Sequence, residues 1–571
     1  MRSLLPVALL SLVACAPVAD SAQRARAPAG RAAHQGAAAT KLAADTPEEV
    51  DIAKARARAR EQLFPWRDWS TDAFAQARRE HRFILVHGAA EWCHWCHVME
   101  ETTYRDPRVG ALVRDRFVAI RVDIDSRPDL AERYGSYGWP ATIVLSPDAE
   151  ELGKFRGFLP AEELLQQLGK LERASAMNDQ EGAPRVERAS VMDDREQERA
   201  PRVERAAREA LPWIGAAAAR DLDDYYDEKE GGWGMRQKAA LGDDVSFELR
   251  RADRGDRRAL ERAVFTLQKQ AALIDPVWGG VYQYSAARDW HAPHFEKLMT
   301  FQAQNLAAYA RAYAITGDRE LLAHARSIER YLNTFLSSGS GAFLVSQDAD
   351  LNAHDRKAAF VDGNVYFRLG DAERRRLGIP RIDEHVYGDS NGQAIFAMAA
   401  LFEATRDPSA LKRAELAAEL LLTTHIDSLG RVAHDAASRA IFYLDDGAHL
   451  GLGLARLAEV SGATGARYRD AALRIADALR RDLSDERGGL FAHSVDPGAS
   501  GVFARRRKPL AANVTSARLF AALWRLTGDA NWQVRAQDTL AAIATPRAVR
   551  DEGRMVGTFL LALAEAGALG W

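Results

Sequence analysis

Trp92-Cys93-His94-Trp95-Cys96-His97 holds two of the three cysteines in a chain of 571 residues. The third, Cys15, stands near the N-terminus in a different context, so none is left for a structural disulfide framework. A Cys-x-x-Cys pair placed where a strand runs into a helix is the arrangement of a thiol–disulfide redox centre. The same letters also spell the c-type haem attachment motif, Cys93-x-x-Cys96-His97. Two buried structural thiols are the plainer alternative. Zinc on Cys93, His94, Cys96 and His97 is set aside: adjacent residues rarely converge on one tetrahedral ion, and no second Cys/His cluster elsewhere completes a site. No metal and no cofactor is expected.

The flanks decide between the readings. Phe83-Ile84-Leu85-Val86-His87 is a short apolar run of the kind found in buried parallel strands. Residues 93–103 then read as a helix, and Asp106-Pro107 opens a second over 108–116, with Pro at a tolerated first-turn position. Residues 117–123 are a strand, Arg127-Pro128-Asp129 opens a helix, and Trp139-Pro140 leads into a strand over 141–145. Residues 152–156 pair beside it, and 160–173 close with an amphipathic helix. The order β-(Cys-x-x-Cys)-α-α-β-α-Pro-β-β-α resembles a thioredoxin fold, whereas a haem domain would set helices around its cofactor. In such a fold Cys93 lies at a helix N-terminus, where unpaired N–H groups and the helix dipole stabilise a thiolate. Cys93 is then expected to be the more exposed sulfur, and Cys96 the buried one that resolves the mixed disulfide. The resemblance makes Pro140 the cis-proline that faces the cysteines.

Arg2 precedes an apolar run over residues 4–14, too short to span a bilayer and suited to a signal peptide. It ends in Leu12-Val13-Ala14-Cys15, which resembles the bacterial lipobox and implies lipidation at Cys15. The expected organisation is a leader over 1–15, a tether over 16–60, a thioredoxin-like domain over 61–173, a charged linker over 174–206 and a helical domain over 207–571. Within the linker, Ala183-Pro184-Arg185-Val186-Glu187-Arg188-Ala189 recurs at 200–206, a local duplication. These features place the protein in the cell envelope, on the extracytoplasmic side, tied to the membrane by lipid alone. With 77 basic against 80 acidic residues and no basic stripe, nothing points to nucleic acid.

Beyond residue 207, Ala- and Leu-rich helical periodicities dominate. Ala314-Ile315-Thr316-Gly317-Asp318, Glu403-Ala404-Thr405-Arg406-Asp407 and Arg525-Leu526-Thr527-Gly528-Asp529 each end one helix and cap the next. A Gly-Gly-apolar turn follows an acid at Asp227 with Gly231-Gly232, Asp275 with Gly279-Gly280 and Asp485 with Gly488-Gly489. Helix hairpins repeating this way suit an α/α toroid, with a plain helical solenoid as the alternative.

Cys93-His94-Trp95-Cys96-His97-Val98-Met99-Glu100 is similar to the hallmark of the spermatogenesis-associated thioredoxin-like proteins, a family of uncharacterised function. Gly138-Trp139-Pro140, Pro293-His294-Phe295-Glu296-Lys297, Gln347-Asp348-Ala349-Asp350, Asn391-Gly392 and Leu444-Asp445-Asp446 extend the resemblance. It implies a thioredoxin-like domain joined to a toroid of six-hairpin-glycosidase type. The chain departs from the pattern at Phe301-Gln302 (Asp-Asn in the family), at Ser390 (Trp) and at Gln237-Lys238-Ala239-Ala240 (Pro-Lys-Phe-Pro).

Toroids of this shape often handle sugars in a central cup, with paired carboxylates as acid and base. His294, Glu296, Asp348, Asp350, Asp445 and Asp446 are the cup candidates, with Trp233, Tyr282 and Trp290 as stacking surface. These residues are expected to gather at one mouth of the ring, with at least one carboxylate of raised pKa. The plainer reading spends such acids on helix caps. The leading function is an extracytoplasmic thiol–disulfide oxidoreductase acting on a protein partner, its toroid docking that partner or a glycan. The alternatives are a carbohydrate-active toroid (hydrolase or epimerase) with an accessory redox domain, and a non-catalytic scaffold lipoprotein.

Overall fold

The computed structural model describes residues 62–135, 138–181 and 205–570. The leader with Cys15, the tether and most of the duplicated linker lie outside the described residues. The N-terminal domain begins with α1 (Thr71–Glu80), capped by the Ser70 hydroxyl, which accepts from the Ala73 amide. β1 (Phe83–Ala89) runs into α2 (His94–Glu101), and α3 (Pro107–Arg116) follows, capped by Asp106 with Pro107 in its first turn. Next come β2 (Phe117–Asp123), α4 (Pro128–Tyr134), β3 (Ala141–Leu145), β4 (Glu151–Arg156) and α5 (Ala161–Glu181). The strand order is β2-β1-β3-β4, with β1 parallel to β2 and antiparallel to β3. Near-continuous apolar β1, β2 and β3 are buried between helical layers, as central strands require. This is the thioredoxin-like arrangement, and its sheet leaves no place for a helical haem pocket. The last helix continues to Glu181, past the boundary at 173 expected from composition.

The second domain is a ring. α6 (Arg205–Tyr225), α7 (Gly242–Ala252), α8 (Arg257–Gln270), α9 (Met299–Thr316), α10 (Arg319–Thr334) and α11 (Gly388–Thr405) make its first half. α12 (Pro408–Thr424), α13 (Leu444–Val460), α14 (Gly465–Leu483), α15 (Leu510–Thr527), α16 (Ala530–Ile543) and α17 (Gly557–Glu565) complete it. α7, α9, α11, α13, α15 and α17 each pack on the next, and α17 returns to α7, so the inner ring closes. The remaining six form the outer layer. This closure makes the domain an α/α toroid rather than an open solenoid.

Local chemistry explains the hairpins. Gly317, Arg406 and Gly528 adopt left-handed φ of 73°, 59° and 72°, and Asp318, Asp407 and Asp529 then cap α10, α12 and α16. Arg406 does the glycine's work in the sequence's imperfect copy. The inner helices are small-residue-rich where they cross: a Cβ at Gly453 of α13 would collide with the Gly392 carbonyl of α11. The Gly-Gly turns carry a buried bracket. Lys238 Nζ donates to Asp227 (3.1 Å) and the Gly231 carbonyl (2.7 Å), and Lys297 Nζ to Asp275 (2.8 Å) and the Gly279 carbonyl (2.9 Å). Lys508 Nζ repeats this with Asp485 and Gly488, both at 2.5 Å.

Gln302, read as a departure, keeps a shared structural role. Its amide brackets Val281, accepting from N–H at 2.6 Å and donating to C=O at 2.7 Å. Asn391 does the same for Phe343, and Asn513 for Leu490. Trp233, Tyr282 and Trp290 are core residues, not a stacking surface. All three are buried, and the Trp290 indole donates to the Glu230 carbonyl.

Candidate functional site

Cys93 is the N-cap of α2 and is disulfide-bonded to Cys96. The Cys93 sulfur also accepts from the Cys96 amide at 3.2 Å, so it lies where the helix offers its unpaired N–H groups. Pro140 follows a cis peptide bond and immediately precedes β3. The exposure expected of Cys93 is corrected: both cysteines are fully buried, at 0%. The cause is the toroid, which covers the Cys-x-x-Cys turn.

The domains meet at the mouth formed by the N-terminal ends of the inner helices. The Ala349 amide lies 3.4 Å from the Trp92 carbonyl, and His354 Nε2 donates to the Glu91 carbonyl at 2.8 Å. Arg356 pairs with Glu101, and Arg381 with Glu91. On the far side, Phe503 packs edge-on against Trp69, and the Val502 amide donates to the Ala149 carbonyl.

Beneath α2 lies a group of acids and imidazoles from both domains. The His94 amide donates to Glu296 Oε1 at 3.4 Å, and His94 Nδ1 to Asp350 Oδ2 at 2.7 Å. Burial opposes a charge on His94, but Asp350 outweighs it and raises the imidazole to about 10. The same pairing holds Asp350 well below the usual carboxylate range against the cost of burial. Burial pushes Glu296 up to about 7, and burial together with the His94 charge pushes His294 down to about 3. His97 and Asp348 complete the group, with His354 at its edge.

Asp445 and Asp446 form a second group. Asp446 pairs with His434 Nδ1 at 2.9 Å and accepts from the Asp389 amide at 3.0 Å. His434 Nε2 donates to the Asp125 carbonyl at 2.7 Å, and Asp125 in turn accepts from the Trp92 indole at 2.7 Å. Burial, then Asp389 and Asp446, raises Asp445 to about 7. The six cup candidates all lie on the toroid face turned to the thioredoxin-like domain, and Glu296 and Asp445 are raised carboxylates. They nevertheless divide into two groups, only one of which reaches the axial cavity.

That cavity has a volume of about 840 Å³. Its upper wall combines Trp92, Asp125 and Trp139 of the thioredoxin-like domain with Tyr387, Asp389 and Asp445 of the toroid. Its lower end is ringed by ion pairs, among them Arg311 with Asp253 and Arg518 with Glu565. Asp389, Tyr387, His434 and His354 were missed in the sequence because nothing local marks them. Their partners come from distant loops or from the other domain. The Asp389–His434–Asp446 and His94–Asp350–Asp362 triads also bring possible ligand atoms together. In each the imidazole Nδ1 already pairs with a carboxylate of the triad itself, His94 with Asp350 and His434 with Asp446, so neither reads as a metal centre.

Fold and site define a thioredoxin-like domain whose Cys-x-x-Cys turn is seated on the mouth of an α/α toroid. Residues 56–184 match the family described as "Protein of unknown function, DUF255". The chain is homologous to human spermatogenesis-associated protein 20, with 30% identity over 311 residues. That alignment covers 50% of this chain and 39% of the human protein, so the match spans well under half of the relative's length. A shorter match, 30% identical over 82 residues, links 14% of the chain to 14% of the thiol:disulfide interchange protein DsbD of Pseudomonas fluorescens. Among solved structures, cellobiose 2-epimerase from Spirochaeta thermophila superposes with a TM-score of 0.47 at 15% identity, covering 64% of this chain and 99% of its own.

Proposed function

We propose that the protein is a thiol–disulfide oxidoreductase of the cell envelope, lipid-anchored at Cys15, whose toroid docks a protein partner or a glycan. The observation that carries the redox reading is the oxidised Cys93–Cys96 pair at the N-terminus of α2, in one core cluster with Trp139 and Ala141, the neighbours of the cis-bonded Pro140. In the reducing half-reaction a partner thiolate attacks Cys93 Sγ, the Cys93–Cys96 bond breaks, and Cys96 leaves as a thiolate that takes up a proton. A second partner thiolate then attacks the mixed disulfide, releasing Cys93 as thiolate and the partner as disulfide. Two electrons pass to the pair, and the reverse sequence returns them. A charged His94 next to Cys93 favours the thiolate product. Burial of both sulfurs means that the toroid mouth must part from the domain before a protein partner reaches them.

Cys96→Ser tests this directly. It should accumulate a mixed disulfide at Cys93 when challenged with glutathione disulfide, while Cys93→Ser should not. Capture by Cys93→Ser instead, or by neither variant, would remove the assignment.

A second reading, a sugar-binding or sugar-processing toroid, has one specific observation behind it. The cavity brings Asp389 and Asp445 together with Trp92, Trp139 and Tyr387, acids and aromatics of the sort sugar sites use. It predicts stabilisation by a mono- or disaccharide that Asp445→Asn abolishes; Asp348, off the cavity, should be indifferent.

A further inference from the structure

His97, Asp348 and His354 make an arrangement that the redox reaction does not use. His97 comes from α2, one residue after Cys96, whereas Asp348 and His354 come from a toroid loop. His97 is 96% buried (4% exposed), and its Nδ1 makes no hydrogen bond. That atom sits 3.8 Å from Asp348 Oδ1 and 3.5 Å from Asp350 Oδ2. Asp348 is equally buried, and its Oδ2 also lacks a hydrogen bond, although His354 Nε2 lies 3.2 Å away. That nitrogen is instead directed at the Glu91 carbonyl.

His97 Nδ1 facing two buried carboxylates is repulsive unless something positive, a proton or a metal ion, lies between them. The His97 tautomer is set by its other nitrogen, since Nε2 lies 3.2 Å from the Glu91 carbonyl and can donate to it. With Nε2 donating there, the neutral ring turns the Nδ1 lone pair to the acids, the support that a metal-bound histidine commonly has. Asp348 is oriented likewise: its Oδ1 accepts from the Asp350 amide at 2.9 Å. Bonds of about 2.0–2.2 Å to a tetrahedral ion set neighbouring ligand atoms about 3.3–3.6 Å apart. Asp348 presents Oδ2 to His354 Nε2 at 3.2 Å and Oδ1 to His97 Nδ1 at 3.8 Å, both near that span, and one atom from each residue falls within 4.8 Å of the others.

We propose that His97, Asp348 and His354 form a binding site for a divalent d-block cation that bridges the two domains beside the dithiol. Two imidazoles and one carboxylate suit Zn²⁺ or Fe²⁺ and disfavour Mg²⁺ and Ca²⁺, which take oxygen ligands. The partly exposed edge of His354 is the entry path; on binding, its Nε2 gives up the Glu91 carbonyl, which His97 retains. The sulfurs, tied to each other, take no part in this site. The second cluster that a site needs was supplied by the other domain.

The test uses the full chain in its oxidised form, where no thiolate is available. After chelator treatment and dialysis, Zn²⁺ is titrated by calorimetry, and Co²⁺ absorption reports the coordination. One equivalent of Zn²⁺ should bind, with Mg²⁺ and Ca²⁺ failing to compete. His354→Ala and Asp348→Asn should each weaken binding at least about 100-fold, since even outer-shell losses cost 10–100-fold. His354→Ala, at the exposed edge, guards against loss of fold. No stoichiometric binding would mean that a proton fills the gap between His97 and the acids. That result, or binding untouched by both variants, would overturn the proposal.

Discussion

At the residue scale, Gln302 shows how a departure from a family pattern can leave a job intact. A glutamine reaches the same backbone N–H and C=O that an asparagine serves in two other repeats. Gln302→Leu should leave both groups of Val281 unsatisfied in the core and cost about 1–3 kcal/mol of stability, read from the urea midpoint. The titration of Asp445 gives a second prediction. Its folded pKa, about 7, lies above the ordinary carboxyl value, so in that interval the folded state holds a proton that the unfolded chain has lost. This contribution to stability is present at low pH and fades as pH rises from about 4 through about 7. Asp445→Asn should flatten that part of the melting-temperature profile; an unchanged slope would place the proton elsewhere. Which acids would be raised was not legible in the sequence, because a shift depends on burial and on neighbours such as Asp389.

At the scale of elements, the hairpin signals were legible because they are local. A left-handed residue followed by a capping aspartate needs only a few neighbours to work. The Gly-Gly turns and the motif lysines Lys238 and Lys297 could be seen, but not that a lysine at a variable distance downstream closes each turn. These brackets differ in depth, and that difference should be measurable. Asp275 is buried between Lys297 and Arg374, so Asp275→Ala strands two cations and should cost about 3–5 kcal/mol. Asp485 and Lys508 are partly exposed, so Asp485→Ala should cost about 0–1 kcal/mol. Comparable losses would contradict the view that depth sets their weight. Aromatics were misread at this scale: Trp233 follows its motif glycines and Trp290 precedes the motif of Glu296, but both fold inward, and burial of a single ring has no local signature.

At the scale of the molecule, the seating of one domain on the other was illegible. His94 with Asp350, His434 with Asp125 and Phe503 with Trp69 join residues hundreds of positions apart, through side chains whose own surroundings look unremarkable. Yet this docking changes the chemistry most, since it hides a dithiol that the sequence placed at the surface. Reduction by an excess of a small phosphine should therefore reach a rate plateau set by separation of the domains, rather than rise in proportion to reductant. The account's central claim is that Cys93–Cys96 is a working couple and not a structural staple. Its most direct test is a glutathione redox titration of the full chain, with alkylation reporting the reduced fraction. A reversible two-electron transition between about −120 and −270 mV, the range of thiol–disulfide oxidoreductases, is the predicted result. A pair that stays oxidised to below about −300 mV, as structural disulfides do, would contradict it.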